Sequence, residues 1–277
     1  MQLIKKPRCS QRREPALKSR IETGSKIISV TLAYDGTDFS GWQMQRSQRT
    51  VQGVLEDVLK GMHGRRVPVT GAGRTDSGVH ARGQVANFVS DIASIPAEKY
   101  KDALNSNLPP DLRVIRSRGV DRDFDARRGA RERIYKYYLY ISTVGFPHYR
   151  RYCWRISRKP DIAYLNRIVT GLLGEQDFTT FAAAGDSSKS RVRAVYAASF
   201  YPEGPFLVFE IAASSFLWKM VRSIVGTVLE IEQLEHGEER LKEILAVKER
   251  SLAGVTAPAR GLFLERILYN EHSKFSE

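Results

Sequence analysis

Residues 71–81, GAGRTDSGVHA, are the segment of the chain whose residue types best suit covalent chemistry. Three glycines permit tight turns and let a ligand approach the backbone closely, and Asp76 supplies a carboxylate able to act as a nucleophile. The segment lacks the Gly-Lys-Ser/Thr ending of a phosphate loop, and Asp76 stands where a dinucleotide-binding motif has its third glycine. A β-hairpin with an Asx turn explains the same spacing without any chemistry. The loop alone therefore leaves a reactive Asp76 and a plain turn both open.

A second charged residue, Arg222, stands on a segment that otherwise reads as an apolar helix. Residues 216–226, FLWKMVRSIVG, place Arg222 at the edge of an apolar stripe with helical spacing. A partly buried arginine there needs a carboxylate or phosphate partner, unless its own apolar stem carries the guanidinium to solvent. If Asp76 is that partner, the pair lies in a cleft between the two halves of the chain.

Residues 133–140, RIYKYYLY, are an aromatic-rich strand candidate. Strand alternation puts Tyr135 and Tyr137 on one face, and Lys136 and Tyr138 on the other. Aromatic side chains beside basic ones suit stacking on an unpaired base, although tyrosine is also an ordinary strand former. The cluster is therefore either part of a site or part of the core.

The elements that must position these residues form two copies of the order β-α-β-β-α-β. Apolar periodicity predicts strands at 27–34, 67–72, 84–89 and 112–120 with helices at 51–62 and 96–108, and then strands at 134–141, 192–201, 206–212 and 262–269 with helices at 162–173 and 216–234. One such unit is the ferredoxin-like motif, whose sheet has a face that needs cover. The predicted class is α+β.

The predicted architecture is two ferredoxin-like halves joined into one mainly antiparallel sheet, with helices on one side and a basic catalytic cleft on the other. The N-terminal half spans residues 27–125 and carries the aspartate loop, and the C-terminal half spans 126–277. Residues 1–26 hold eight lysines and arginines and are expected to be a disordered basic tail.

The charge balance indicates a polyanionic partner. Lysine and arginine number 44 against 31 acidic residues, which gives a net charge of +13 over 277 residues. Such a surface favours nucleic acid, although a solvated basic surface without a specific partner explains the charge as well. No apolar run approaches the roughly 20 residues of a membrane span and no secretory signal is evident, so a soluble, cytoplasmic protein is expected. Two cysteines and five scattered histidines predict neither a disulfide framework nor a metal site.

Taken together, these segments resemble the TruA family of tRNA pseudouridine synthases. The matching segments are 34–43 (YDGTDFSGWQ), 50–52, 71–81, 83–85, 105–109 (NSNLP), 124–126, 135–137, 173–178, 216–226 and 256–264 (TAPARGLFL). The resemblance runs from about residue 27 to residue 269. It implies a homodimeric enzyme that needs no cofactor and acts on uridines 38–40 of the tRNA anticodon stem-loop.

The resemblance also implies roles for particular residues. Asp76 matches the catalytic aspartate of the family, and Arg222 matches the arginine that pairs with it. Tyr135 is similar to the tyrosine that stacks on the target uracil and acts as a base late in the reaction. The remaining residues implied for substrate binding are Arg74, which fills the gap left by the flipped nucleotide, Leu264, an apolar wall, and Phe216.

The chemistry of that family suits these residue types. Uridine becomes pseudouridine when the N1–C1′ bond breaks, the uracil turns in place and C5 joins C1′. A carboxylate at Asp76 can add to C1′, add to uracil C6, or abstract a ribose proton to give a glycal, and the sequence does not choose among them. A non-catalytic RNA-binding protein and a TruA-like synthase with other targets are the alternatives.

Overall fold

The computed structural model describes residues 24–269. Its strands are β1 Lys26–Tyr34, β2 Thr70–Gly71, β3 His80–Ser90, β4 Leu112–Val120, β5 Glu132–Ile141, β6 Trp154–Ile156, β7 Gly174–Asp177, β8 Val192–Glu203, β9 Phe206–Ala213 and β10 Leu262–Leu268. Its helices are α1 Val51–His63, α2 Tyr100–Asn105, α3 Ile162–Thr170, α4 Met220–Ile231 and α5 Gly237–Val247. The predicted basic tail lies outside the described residues except for its last three.

All ten strands of the described region belong to one sheet. Their order is β4-β1-β3-β10-β5-β9-β8-β7, with β2 added beside β3 and β6 beside β5. The pairs β10–β3 and β5–β6 are parallel and the other pairs are antiparallel. The predicted α+β class with a mainly antiparallel sheet is therefore confirmed. Strand β10, the last strand of the described region, lies between β3 and β5 and joins the two halves.

Helix α1 shows why the predicted elements form where they do. It begins where the Thr50 side chain accepts the backbone N–H of Gly53, and it ends at Gly64, which has a left-handed φ of +67°. Its apolar stripe is buried against the sheet through Val51, Leu55 and Leu59. Capping and periodicity therefore agree along this helix.

The strand predicted at 67–72 is reduced to the two residues of β2. The side chains of α1 take the place of a ladder: Glu56 Oε1 accepts the Val69 N–H at 3.1 Å, and Gln52 Nε2 donates to the Val69 carbonyl at 3.1 Å. Because both backbone groups of Val69 are satisfied in this way, the segment packs in the core without strand pairing.

The helix predicted at 216–234 begins later, at Met220. The backbone of Trp218 is bonded to the preceding loop, since its carbonyl accepts the Ala183 N–H at 2.9 Å and its N–H donates to Asp186. Lys219, the N-cap residue, has a left-handed φ of +62°, so the helix begins only after it. The helix predicted at 96–108 is likewise a 3₁₀ turn, Ala97–Lys99, followed by the short α2.

The two faces of the sheet carry different cores. The larger core contains the buried faces of the helices together with Tyr135, Tyr137 and Leu139 of β5. On the other face lies a small core of Tyr138, Cys153, Val208 and Phe263. Among residues 24–269, no helix is long and apolar enough to cross a membrane.

Candidate active site

Asp76 and Arg222, one from each half of the chain, form an ion pair. Arg222 Nη1 lies 3.1 Å from Asp76 Oδ2, and Arg222 Nε donates to the Ala257 carbonyl at 2.7 Å. The Arg222 carbonyl in turn accepts the Ala257 N–H at 3.1 Å. Only 14% of the arginine side chain and 20% of the aspartate side chain are exposed. The guanidinium is therefore held at two points and does not extend to solvent, and the low local dielectric strengthens its attraction for the carboxylate.

The turn that carries Asp76 is held on both sides by residues 34–42. The Thr75 hydroxyl is hydrogen-bonded to the Tyr34 hydroxyl at 2.8 Å, and the Thr75 carbonyl accepts the Trp42 N–H at 3.0 Å. Beyond Asp76, the Gly78 N–H donates to the Phe39 carbonyl at 3.3 Å. These contacts give the YDGTDFSGWQ segment a positioning role, which the sequence analysis did not assign to it.

Gly41 allows the close approach of this segment to the loop. It has a φ of +89°, and a Cβ there would lie 2.7 Å from the Thr75 carbonyl oxygen. We expect Gly41→Ala to lower the free energy of unfolding by about 1–3 kcal/mol, because an alanine is strained at this φ and displaces the loop. Denaturant titration measures the change.

The matched control is Gly61→Ala, on the exposed face of α1. A Cβ at Gly61 meets nothing within 4 Å, so this change stabilises the protein by roughly 0.5–1 kcal/mol. Equal stability of Gly41→Ala and the unmodified protein would contradict the close-approach argument.

Tyr135 lies beside the ion pair, on β5. Its side chain is buried, and its ring centroid is 5.1 Å from that of Phe216 at an interplanar angle of 84°. Burial, followed by the nearby Tyr34 and Asp76, raises the pKa of Tyr135 above the ordinary value of a phenol. The hydroxyl is therefore protonated at neutral pH, and the two rings form an aromatic wall.

Leu264 and Arg74, the other two residues implied for substrate binding, differ in burial. Leu264, fully buried on β10, is opposite Tyr135 on one side and Ala81 on the other. Arg74 is exposed, and partial desolvation together with the charge of Arg127 lowers the pKa of Arg74. Within the described region neither arginine has a carboxylate partner. Two neighbouring cations without a counter-charge favour the approach of an anion.

The expected separation of helices and cleft onto opposite faces of the sheet is not observed. Arg222 belongs to α4, and Tyr135 faces the larger core, where the helices pack. The site therefore lies on the helix-bearing face, between the elements of the two halves. Both faces of β5 carry aromatic residues, so the alternation in the sequence did not distinguish them.

The described residues contain no group of three or more histidine, cysteine, aspartate or glutamate side chains that could hold a metal ion. The chemistry available at the site is that of a carboxylate held by a guanidinium, with aromatic and aliphatic walls around it.

The partly buried ion pair of Asp76 and Arg222, with Tyr135 beside it, unites three of the residues that the resemblance implied. A family model described as tRNA pseudouridine synthase matches residues 31–127 and 168–270. The chain belongs to this family, and the resemblance found in the sequence is confirmed.

Curated relatives agree with the family model over most of the chain. A protein named tRNA pseudouridine synthase A from Treponema denticola is 46% identical over 256 residues, which cover 91% of this chain and 96% of the relative. Another protein of that name, from Geobacillus kaustophilus, is 44% identical, with 88% and 95% covered. A third, from Moorella thermoacetica, is 43% identical, with 87% and 99% covered.

Proposed function

We propose that this chain isomerises uridine to pseudouridine in the anticodon stem-loop of tRNA, at positions 38–40, with Asp76 as the nucleophile. Membership of the family supports the reaction and its tRNA substrate, which make the chain an isomerase. The observation that carries the assignment to particular residues is the 3.1 Å contact between Asp76 and Arg222 across the two halves.

Each route to pseudouridine requires the carboxylate of Asp76 in its ionised form. Addition to C1′, addition to C6 and proton abstraction from the ribose all begin with a free electron pair on that oxygen. Arg222 Nη1 contacts Oδ2 and leaves Oδ1 without a bond to the guanidinium, so Oδ1 is available for the reaction.

The walls of the site keep the detached uracil in place. After the N1–C1′ bond breaks, the base has to turn and present C5 without being lost to water. Tyr135 stacks on the uracil, and Leu264 and Phe216 close the site with apolar surface, which excludes water from the intermediate. The resemblance also implies that Tyr135 takes the C5 proton late in the reaction, which requires its phenol, protonated at neutral pH, to give up its own proton first.

The target nucleotide has to leave the RNA stack before it can reach Asp76. Base flipping costs a few kcal/mol, which stacking in the pocket partly offsets. Arg74, exposed two residues before the nucleophile, enters the gap left in the RNA and contacts the flanking phosphates. Its unpaired charge beside Arg127 supports this role.

The proposed architecture is two ferredoxin-like halves, 27–125 and 126–277, that form a basic cleft between them. The strand orders β4-β1-β3-β2 and β10-β5-β9-β8 support it, because each repeats the 4-1-3-2 order of that motif. A homodimer is proposed from the family resemblance, and a cytoplasmic location from the tRNA substrate.

Tritium release from tRNA that carries 5-tritiated uridine tests the proposal. Formation of the C5–C1′ bond expels the C5 hydrogen, so release measures turnover, and mapping of the modified position identifies the target. Tight tRNA binding without release would support an RNA-binding protein instead. Release from a position outside 38–40 would support a synthase with another target.

A further inference from the structure

A pocket rich in arginine lies next to the catalytic loop, and part of its lining, residues 258–260, directly follows Ala257, the backbone partner of Arg222. Its volume is 830 Å³, within the range of roughly 300–1,000 Å³ that ligand sites occupy. Residues 145–155 and 258–260 supply most of its lining, and Gly78, two residues after Asp76, supplies part of the wall. We call it the arginine pocket.

The charge of the arginine pocket is positive and is not neutralised by its own lining. It contains the exposed side chains of Arg150, Arg151, Arg155 and Arg260, and no acidic residue of the described region lines it. Arg151 alone approaches a carboxylate, with Nη1 3.9 Å from Asp38 Oδ2. Four cations with a single long ion pair among them favour an anionic ligand.

The hydrogen bonds of the arginines leave donors available. Arg260 uses Nε to reach the Cys153 carbonyl, and Arg155 uses Nη1 to reach the Thr143 carbonyl. No side-chain hydrogen bond fixes Arg150 within the described region. The remaining guanidinium N–H groups match the paired oxygens of a phosphate.

The rest of the lining is apolar and includes an aromatic ring. Phe146 is 49% exposed, and Pro147 and Pro258 lie beside it in the wall. An exposed aromatic face next to arginines is suited to a nucleotide, since the base stacks while the phosphate is neutralised.

Hydrogen bonds connect the arginine pocket to the strand that follows the catalytic loop and to β5. The Gly36 N–H donates to His80 Nδ1 at 3.0 Å, so His80 Nε2 carries the proton and donates to the Arg151 carbonyl, also at 3.0 Å. His80 is the first residue of β3, directly after the loop of Asp76. On the other side, the Pro258 carbonyl accepts the Tyr137 hydroxyl at 2.8 Å.

We infer that the arginine pocket binds a nucleotide of the substrate RNA strand outside the one that is isomerised, through its phosphate and its base. This inference rests on the proposed function for the identity of the RNA. It adds a second contact point next to the reacting uridine, which fixes the register of the strand on the enzyme.

The test compares tRNA binding and turnover for Arg150→Ala/Arg155→Ala with those for a control, Arg167→Ala/Arg240→Ala. The control removes the same charge from exposed arginines on α3 and α5, outside the pocket. We expect the pocket variant to raise the tRNA Kd about tenfold, with the loss in KM rather than in kcat. Its slope of log Kd against log salt falls by roughly 0.7–0.9, because the contact with one phosphate is lost.

A second variant, Arg150→Glu, breaks no side-chain hydrogen bond in the described region and guards against a folding defect. Equal Kd values for the pocket and control variants would overturn the inference. So would binding of free uridine 5′-monophosphate that depends on Arg150 while the tRNA Kd does not change, since the pocket then holds a free nucleotide. Turnover by the unmodified protein separates the outcomes: pocket-dependent tRNA binding without tritium release defeats only the proposed function.

Discussion

Asp76→Asn is expected to abolish pseudouridine formation while the protein still binds tRNA. In other enzymes, removal of the nucleophile lowers kcat by roughly 10⁴-fold or more. Asparagine has nearly the volume of aspartate and its side-chain oxygen still accepts from Arg222, so the loop keeps its position. The tRNA Kd should therefore stay within a few-fold of the unmodified value. Tritium release and filter binding measure the two quantities on the same preparation.

Asp57→Asn is the control for the loss of one negative charge. Asp57 is exposed on α1 and, within the described region, belongs to no ion pair. The Asp57→Asn variant should convert tRNA at the rate of the unmodified protein. Comparable turnover by Asp76→Asn and Asp57→Asn would sink the assignment of Asp76 and return its loop to the role of a plain turn.

The order of the main elements was predictable because it depends on local periodicity. The helix at α1 and the long strands β1, β8 and β9 have apolar residues at regular spacing and clear turn or cap residues at their ends. Strands β6 and β7 are short and irregular, and their pairing with distant strands decides their existence. Helix α5 was not predicted, although it buries Leu241, Ile244 and Leu245.

The candidate site was predictable as far as its side chains have distinctive chemistry. Asp76, Arg222 and Tyr135 could be named from residue type and motif. The Ala257 carbonyl that holds Arg222, and the Phe39 carbonyl that holds Gly78, could not, because any residue carries a carbonyl. Such contacts arise only when the chain brings residues 35 or more positions apart together.

The Tyr34–Thr75 hydrogen bond shows a further limit of the sequence. Both residues belong to matched motifs, yet each reads as part of an ordinary strand or loop. Burial raises the pKa of Tyr34 well above the usual range, and its hydroxyl is hydrogen-bonded to Thr75 at 2.8 Å. A buried polar pair of this kind is costly to leave unmatched, so it fixes the loop in one position.

Arg222→Lys is expected to lower kcat by roughly 10²–10³-fold, the effect typical of losing one preorganised donor in an active site. Arg222 uses Nη1 for Asp76 and Nε for the Ala257 carbonyl, and the planar fork holds both at once. Lysine has a single ammonium group, so it satisfies one partner and leaves the other or shifts the carboxylate. The net charge does not change, so the tRNA Kd and its salt dependence should remain as they are.

Arg167→Lys is the matched control, because Arg167 Nε also lies 3.1 Å from a carboxylate oxygen, that of Glu238, but with 58% of its side chain exposed. Exposed pairs contribute roughly 0–1 kcal/mol, so this change should leave turnover and unfolding unaffected. Near-normal turnover by Arg222→Lys would mean that Asp76 needs only a nearby positive charge. A loss confined to Arg222→Lys would mean that the geometry of the guanidinium, fixed by Ala257, sets the direction in which Asp76 attacks.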